Sequence, residues 1–165
     1  MLWLYRWITP RNLPYPTYWS CHRPRQRLEA AGYLGPYLAI VRHPLIRIVS
    51  GYRFLRPQQS LEDFLYDIAL ERGAYAQFLE PMAHYVWDAN RTLHADVTVL
   101  RFEHLDEDMR KITAKTLPRI NVNHRNDTER AAKETICADE TLHELLMLRY
   151  QIDFALFGYQ NLTCS

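Results

Sequence analysis

Two arginines and a serine follow a short apolar run at spacings that suit recognition of an anion. Arg42 comes directly after the apolar residues 37–41, and Pro44 follows two positions later. Proline is favoured in the first turn of a helix, so we expect a helix to begin at Pro44. Arg47 and Ser50 then lie three residues apart on one helix face. The Arg47 guanidinium and the Ser50 hydroxyl, together with Arg42, would suit binding of a phosphate or sulfate group.

Charge is segregated along the chain, although the formal net charge of its 165 residues is only +1. Residues 1–61 contain nine arginines, no lysine and one acid, Glu29, which gives +8, and residues 62–165 carry the balancing −7. Arginine without lysine favours forked recognition of phosphate, sulfate or carboxylate. A solvated basic face, or arginines paired with carboxylates of the acidic part, would explain the same segregation.

The elements that would position such a site are strands alternating with helices. Residues 37–41 form a continuous apolar run typical of a strand buried on both faces, and residues 97–102 form a second, β-branched run. We expect helices to begin at Pro44, after a Ser60 cap, at Leu105, and near Asp139 with Thr141 and Glu144 as a capping box. This alternation predicts an α/β domain with a mainly parallel sheet, which binds ligands beyond the carboxyl ends of its strands.

Apolar spacing also predicts which side chains each helix buries. Residues 63–92 are expected to be mostly helical, with interruptions at Gly73 and Pro81, and the last helix should end before Gly158. The side chains expected in the core are Leu45, Ile46, Ile48, Val49, Phe54, Phe64, Leu65, Ile68, Leu70, Leu142, Leu145, Leu146 and Tyr150. Residues 1–28 are rich in proline, aromatics and arginine, which favours irregular backbone.

Three segments resemble those of sulfotransferases that use 3'-phosphoadenosine 5'-phosphosulfate (PAPS). Residues 41–52 resemble the motif R-D-P-x-x-R-x-x-S-x-Y, which binds the 3'-phosphate, and residues 53–56 resemble the F-L-R extension of carbohydrate O-sulfotransferases of the heparan 2-O type. Residues 99–108 are similar to the family's strand and R-[FY]-E-x-L-x-x-D turn, and residues 153–159 to its closing D-F-x-x-F-G-Y. The three matches span about residues 37–159.

This resemblance implies a P-loop-like three-layer α/β fold forming one domain over residues 1–165, with residues 1–30 as an irregular basic and aromatic segment. It implies transfer of a sulfuryl group from PAPS to the hydroxyl of a neutral or anionic carbohydrate, without a metal. Arg42 and Ser50 would bind the 3'-phosphate, and Arg47 would support the site or the fold. His43 replaces the usual Asp, which removes an acid beside a phosphate site.

Further site residues follow from the same resemblance. His22 precedes the strand at 37–41, where many family members carry a histidine that deprotonates the acceptor hydroxyl, so it is the candidate general base. An exposed loop histidine is the alternative. Asn123 and Arg125 lie in a polar segment that corresponds to a loop near the nucleotide, and either would contribute a polar contact.

The chain departs from the family in one respect. Family members begin with a P-K-x-x-x-[ST]-S-type loop whose lysine stabilises the leaving phosphate, whereas the first lysine here is Lys111. Without that charge the barrier to transfer would rise by several kcal/mol. We therefore expect an N-terminally incomplete domain, a fragment, or a nucleotide-binding remnant that no longer catalyses.

Two further expectations concern partners and compartment. Arginines interleaved with tryptophan and tyrosine in residues 1–30 leave open a protein that binds single-stranded nucleic acid. Cys21, Cys137 and Cys164 are odd in number and include no CxxC pair, which indicates a reducing compartment and no zinc site. Because the N-terminal segment is interrupted by Arg6 and Pro10, we expect no signal peptide, no membrane anchor and a cytoplasmic protein.

Overall fold

The computed structural model describes Ala30, Gly32 and residues 37–88, 90–112 and 122–164. In chain order the elements are β1 (Tyr37–Val41), α1 (Pro44–Leu55), α2 (Leu61–Ala69), α3 (Gly73–Phe78), α4 (Ala83–Val86), β2 (Val97–Arg101), α5 (Leu105–Ile112), α6 (Val122–Ile136) and α7 (Glu140–Phe157), with a 3-10 turn at Phe102–His104. Over these residues the predicted α/β class is confirmed.

The chain divides into two compact units, which we name by their contents. The sheet unit consists of Met1–Arg42 and Met82–Leu117, and the helical unit consists of His43–Pro81 and Pro118–Ser165. The sheet unit is therefore discontinuous in sequence, because the chain leaves it after Arg42 and returns at Met82.

The sheet unit is built on a parallel pair of strands. β1 pairs with β2 in a register that runs from Tyr37 opposite Val97 to Val41 opposite Arg101, so partners are sixty positions apart. Apolar side chains dominate β1, and four of its five residues are buried. Both strands and their parallel pairing were predicted from the apolar runs, although β2 ends at Arg101 and Phe102 already belongs to the 3-10 turn.

The helical unit encloses an apolar cluster drawn from α1, α2, α3, α6 and α7, together with Leu79 and Leu162. Phe64, Leu45 and Leu146 are among its members with no exposed surface. Gly51 on α1 allows a close approach, because a Cβ at this position would lie 3.0 Å from Cδ2 of Leu79. α1 begins at Pro44, as predicted, and its first turn contains no acidic residue.

Two side chains predicted in the core are exposed. Phe54 is 52% exposed and Leu70 is 40% exposed. Phe54 comes nine residues, or two and a half turns, after Leu45, so it lies on the opposite face of α1. Leu70 comes after the last residue of α2, where helical periodicity no longer applies.

The helix caps agree with the sequence in two places and differ in a third. The Ser60 hydroxyl accepts a hydrogen bond from the backbone N–H of Asp63, and Gly158 ends α7 with a left-handed backbone at φ 64°. The predicted capping box on Thr141 was wrong, because Asp139 is the N-cap of α7 and its carboxylate accepts from the N–H of Leu142 at 3.1 Å.

A disulfide joins Cys137, just after α6, to Cys164 near the C-terminus, with the two Cα atoms 5.3 Å apart. Closing a loop of this size stabilises a fold by about 3.5 kcal/mol in the chain-entropy description. The sequence did not predict this pair. Among the described helices, we find none with the length and apolar character that a membrane span requires.

Candidate functional site

Arg42 lies at the carboxyl end of β1 in the sheet unit. It is 8% exposed, and its Cζ lies 4.6 Å from the centroid of the Phe102 ring. The register explains this contact, since Arg42 and Phe102 are the first residues after the paired ends of the two strands. A guanidinium keeps its charge in such surroundings, so a fixed positive group lies at the strand end where parallel sheets bind ligands.

Arg47 is built into the helical unit. It is 3% exposed, and its Nη2 donates to the backbone carbonyls of Leu79 at 3.2 Å and Glu80 at 2.6 Å. These carbonyls directly follow α3, so the guanidinium lies near the C-terminal end of that helix, where a positive charge is favoured. Of the two roles expected for Arg47, these contacts account for support of the fold.

Tyr150 completes this arrangement around the end of α3. Its ring faces two guanidiniums, those of Arg47 at 5.6 Å and Arg149 at 5.7 Å, and its hydroxyl donates to the carbonyl of Leu79. Arg149 donates to the carbonyl of Ala76 at 3.1 Å. Burial raises the pKa of the Tyr150 hydroxyl, and the two neighbouring arginines oppose that shift. No local sequence pattern predicts this cluster, because its members come from α1, α7 and the region of α3.

Ser50 lies on α1 and is half-buried, and its hydroxyl has no hydrogen-bond partner among the described residues. Its hydroxyl is thus not committed to the packing of that part of the chain. Arg42 belongs to the sheet unit and Ser50 to the helical unit, so the expectation that both bind one phosphate stays a prediction.

His43 is the N-cap residue of α1, but its side chain does not cap the helix. The ring instead donates through Nε2 to the backbone carbonyl of Gln160 at 2.9 Å and packs edge-on against Phe154 and Tyr159, with ring centroids 5.5 Å apart in both cases. The first turn of α1 contains no acidic residue and no side-chain cap, so no acidic group of that turn offsets the positive end of the helix dipole. Such a helix terminus favours an anion.

The remaining predicted residues are only partly described. His22 and the aromatic and basic residues proposed for nucleic-acid binding lie outside the described residues. Asn123 and Arg125 were predicted in a loop, and this was wrong, since both lie in the first turn of α6. Polar residues are favoured in loops and in first helical turns alike, so their composition could not distinguish the two. The side chains of Asn123 and Arg125 are not among those that the structure describes.

Histidine, cysteine and carboxylate side chains are the usual protein ligands of a metal ion. Across the part of the chain that the structure describes, no three of them are arranged to hold a metal ion.

A scan against protein-family models, a search of curated proteins and a search of solved structures each find no match to the chain. The family resemblance therefore rests on the three sequence motifs alone.

Proposed function

We propose that the protein is a PAPS-dependent sulfotransferase with a P-loop-like three-layer fold, which transfers a sulfuryl group to a carbohydrate hydroxyl. The observation that carries this proposal is the environment of Arg42 and the helix that follows it. Arg42 is a buried cation at the carboxyl end of a parallel strand, and α1 starts at Pro44 without an acid in its first turn. Both features favour a dianionic phosphate.

The proposed roles of the site residues follow the motif. Arg42 and Ser50 bind the 3'-phosphate, and Arg47 stabilises the helical unit through the carbonyls after α3. His22 is the proposed general base for the acceptor hydroxyl, and Asn123 or Arg125 adds a polar contact to the nucleotide. The proposed acceptor is a neutral or anionic carbohydrate, and the proposed chemistry needs no metal.

Direct titration with 3'-phosphoadenosine 5'-phosphate, the desulfated product, tests the nucleotide site. We expect Arg42→Ala to weaken binding about 10- to 100-fold, because a charge-assisted hydrogen bond is lost, and Ser50→Ala to weaken it about fivefold. Arg53→Ala is the matched control, since it removes an arginine of α1 that bonds to Thr128 and to the carbonyl of Asp127. Failure of the intact chain to bind, or equal affinity in all three variants, refutes the proposal.

A nucleotide-binding remnant without catalysis is the second candidate, favoured by the absence of lysine before Lys111. Both candidates require binding of the desulfated product, but only an enzyme transfers labelled sulfate from PAPS to an oligosaccharide panel. Adding His22→Ala separates them further, since loss of transfer with unchanged nucleotide affinity supports a base and not a ligand.

The single-stranded nucleic-acid alternative makes a different prediction. It expects oligonucleotide binding that weakens steeply with salt and has no preference for a 3'-phosphorylated adenosine.

Localisation is a separate question. A cytoplasmic protein was expected, but the Cys137–Cys164 disulfide favours an oxidising compartment, because cytosolic reductants keep thiols reduced. Labelling of free thiols in protein from its native source, before and after reduction, distinguishes the two.

A further inference from the structure

The six residues that follow Gly158, the C-cap of α7, make a series of contacts within the helical unit. Tyr159 packs against the ring of His43, and the carbonyl of Gln160 accepts from His43 Nε2. Leu162 is only 7% exposed and belongs to the apolar cluster. Cys164 then forms the disulfide with Cys137. We name residues 159–164 the C-terminal strap.

His43 connects this strap to the beginning of α1. Its backbone carbonyl accepts the first hydrogen bond of the helix, from the N–H of Arg47 at 2.9 Å. The same residue is fixed by its ring on three sides, through Gln160, Tyr159 and Phe154. Ordering the strap therefore also orders the residue from which α1 starts.

We propose that the Cys137–Cys164 disulfide is a redox latch, whose reduction releases the C-terminal strap from His43 and loosens the first turn of α1. The effect on an anion bound at that turn rests on the proposed function. The effect on the strap and the helix does not.

The latch is accessible to the chemistry that would open it. Cys164 is exposed and Cys137 is half-buried, so a thiolate can reach the Cys164 sulfur. A dithiol attacks that sulfur, forms a mixed disulfide with Cys164, and releases Cys137 as a thiol after protonation. Its second sulfur then displaces Cys164, so that the protein gains two electrons and two protons while the dithiol leaves as a disulfide.

The remaining contacts of the strap are individually weak. Without the covalent bond, the contacts that retain it include the hydrogen bond between His43 and the Gln160 carbonyl, the packing of Tyr159 against His43 and the apolar cluster, and the burial of Leu162. The disulfide keeps these groups at a high local concentration, and reduction removes that advantage without removing any contact partner. A partial release is expected, and unfolding of the helical unit is not.

Hydrogen exchange tests the latch without any ligand. In a Cys21→Ser background, only the latch cysteines remain. After reduction with dithiothreitol, we expect the Arg47 amide and the amides of the strap to exchange about tenfold faster. The Phe64 amide, which bonds to Ser60 at the start of α2, serves as the internal control and should not change. An unchanged Arg47 amide, or equal acceleration at Phe64, overturns the proposal.

His43→Phe separates the latch from general loss of stability, because it keeps the disulfide and an aromatic ring but removes the hydrogen bond to Gln160. We expect faster exchange at Arg47 in the oxidised variant, and little further change at Arg47 on reduction. If reduction accelerates exchange of the Arg47 amide to the same extent in this variant as in the parent, His43 does not couple the strap to α1 and the proposal fails.

Titration with 3'-phosphoadenosine 5'-phosphate measures the consequence for the anion site. We expect about tenfold weaker binding to the reduced protein. By linkage, saturating ligand should then make the disulfide harder to reduce. A tenfold difference in affinity corresponds to a reduction potential of the disulfide that is lower by about 30 mV. Equal affinity of both forms refutes the coupling to the anion site. No binding by either form refutes the proposed function, and the exchange data still decide whether the latch exists.

Discussion

Each of the two units contains one buried arginine of the same motif, and the two arginines are stabilised differently. In the sheet unit, the Arg42 guanidinium lies over the Phe102 ring at the end of two paired strands. In the helical unit, Arg47 donates to the carbonyls of Leu79 and Glu80, which follow α3. These contacts give Arg47 a structural role, and its expected part in binding an anion stays a prediction. A motif position identifies a residue type, and the surrounding backbone determines its role.

The largest expected effect lies at the structural arginine. Arg47→Met keeps the length of the side chain but removes the donors to Leu79 and Glu80, so we expect about 2–4 kcal/mol loss of unfolding free energy. Chemical denaturation measures this loss. Arg72→Met is the control, because Arg72 is exposed in the same unit, and it should change stability by less than about 0.5 kcal/mol. Equal losses in the two variants would contradict the contrast between the arginines.

A smaller effect is expected in the sheet unit. Phe102→Leu removes the aromatic face under Arg42, which should reduce the unfolding free energy by about 1 kcal/mol. Phe102→Tyr retains the ring and should remain within about 0.5 kcal/mol of the parent. If the tyrosine variant loses as much as the leucine variant, the ring contact does not stabilise Arg42.

The smallest effect concerns a pH dependence in the helical unit. The hydrogen bond from the Tyr66 hydroxyl, at 2.6 Å, and then the N–H of Leu142 lower the pKa of Asp139 from its ordinary value of 3.8. A lowered pKa in the folded state means that ionised Asp139 stabilises the fold above about pH 4 and that this contribution disappears as the pH falls further.

Asp139→Asn tests this assignment, because asparagine retains a capping oxygen but does not titrate. We expect the free energy of unfolding, measured with denaturant, to fall more steeply in the parent than in the variant as the pH is lowered from about 5 to 3. Parallel profiles would show that Asp139 is not the titrating group.

The sequence predicted the features that depend on near neighbours. The apolar run of β1, the start of α1 at Pro44, the Ser60 cap and the end of α7 at Gly158 are each determined within a few residues. The candidate site of Arg42 and Ser50 was also proposed from local spacing, and it stays a prediction.

Features that depend on distant neighbours were not predictable. Asp139 and Thr141 are both suitable caps, and Asp139 also accepts from Tyr66, which lies 73 positions away. The carbonyl that engages His43 is 117 positions away in Gln160. The local sequence does not single out Tyr66 or the Gln160 carbonyl as a partner, because other tyrosines and other backbone carbonyls have the same hydrogen-bonding chemistry.

The sixty-residue offset between β1 and β2 has a consequence for biosynthesis. At ordinary ribosomal rates of 5–20 residues per second, β1 waits about 3–12 s for its partner to be translated. During that interval the edge of β1 that later pairs with β2 lacks this partner, a condition that promotes association between nascent chains. Slow translation over residues 43–96 should therefore lower the soluble yield, and chaperones that bind extended apolar segments should restore it.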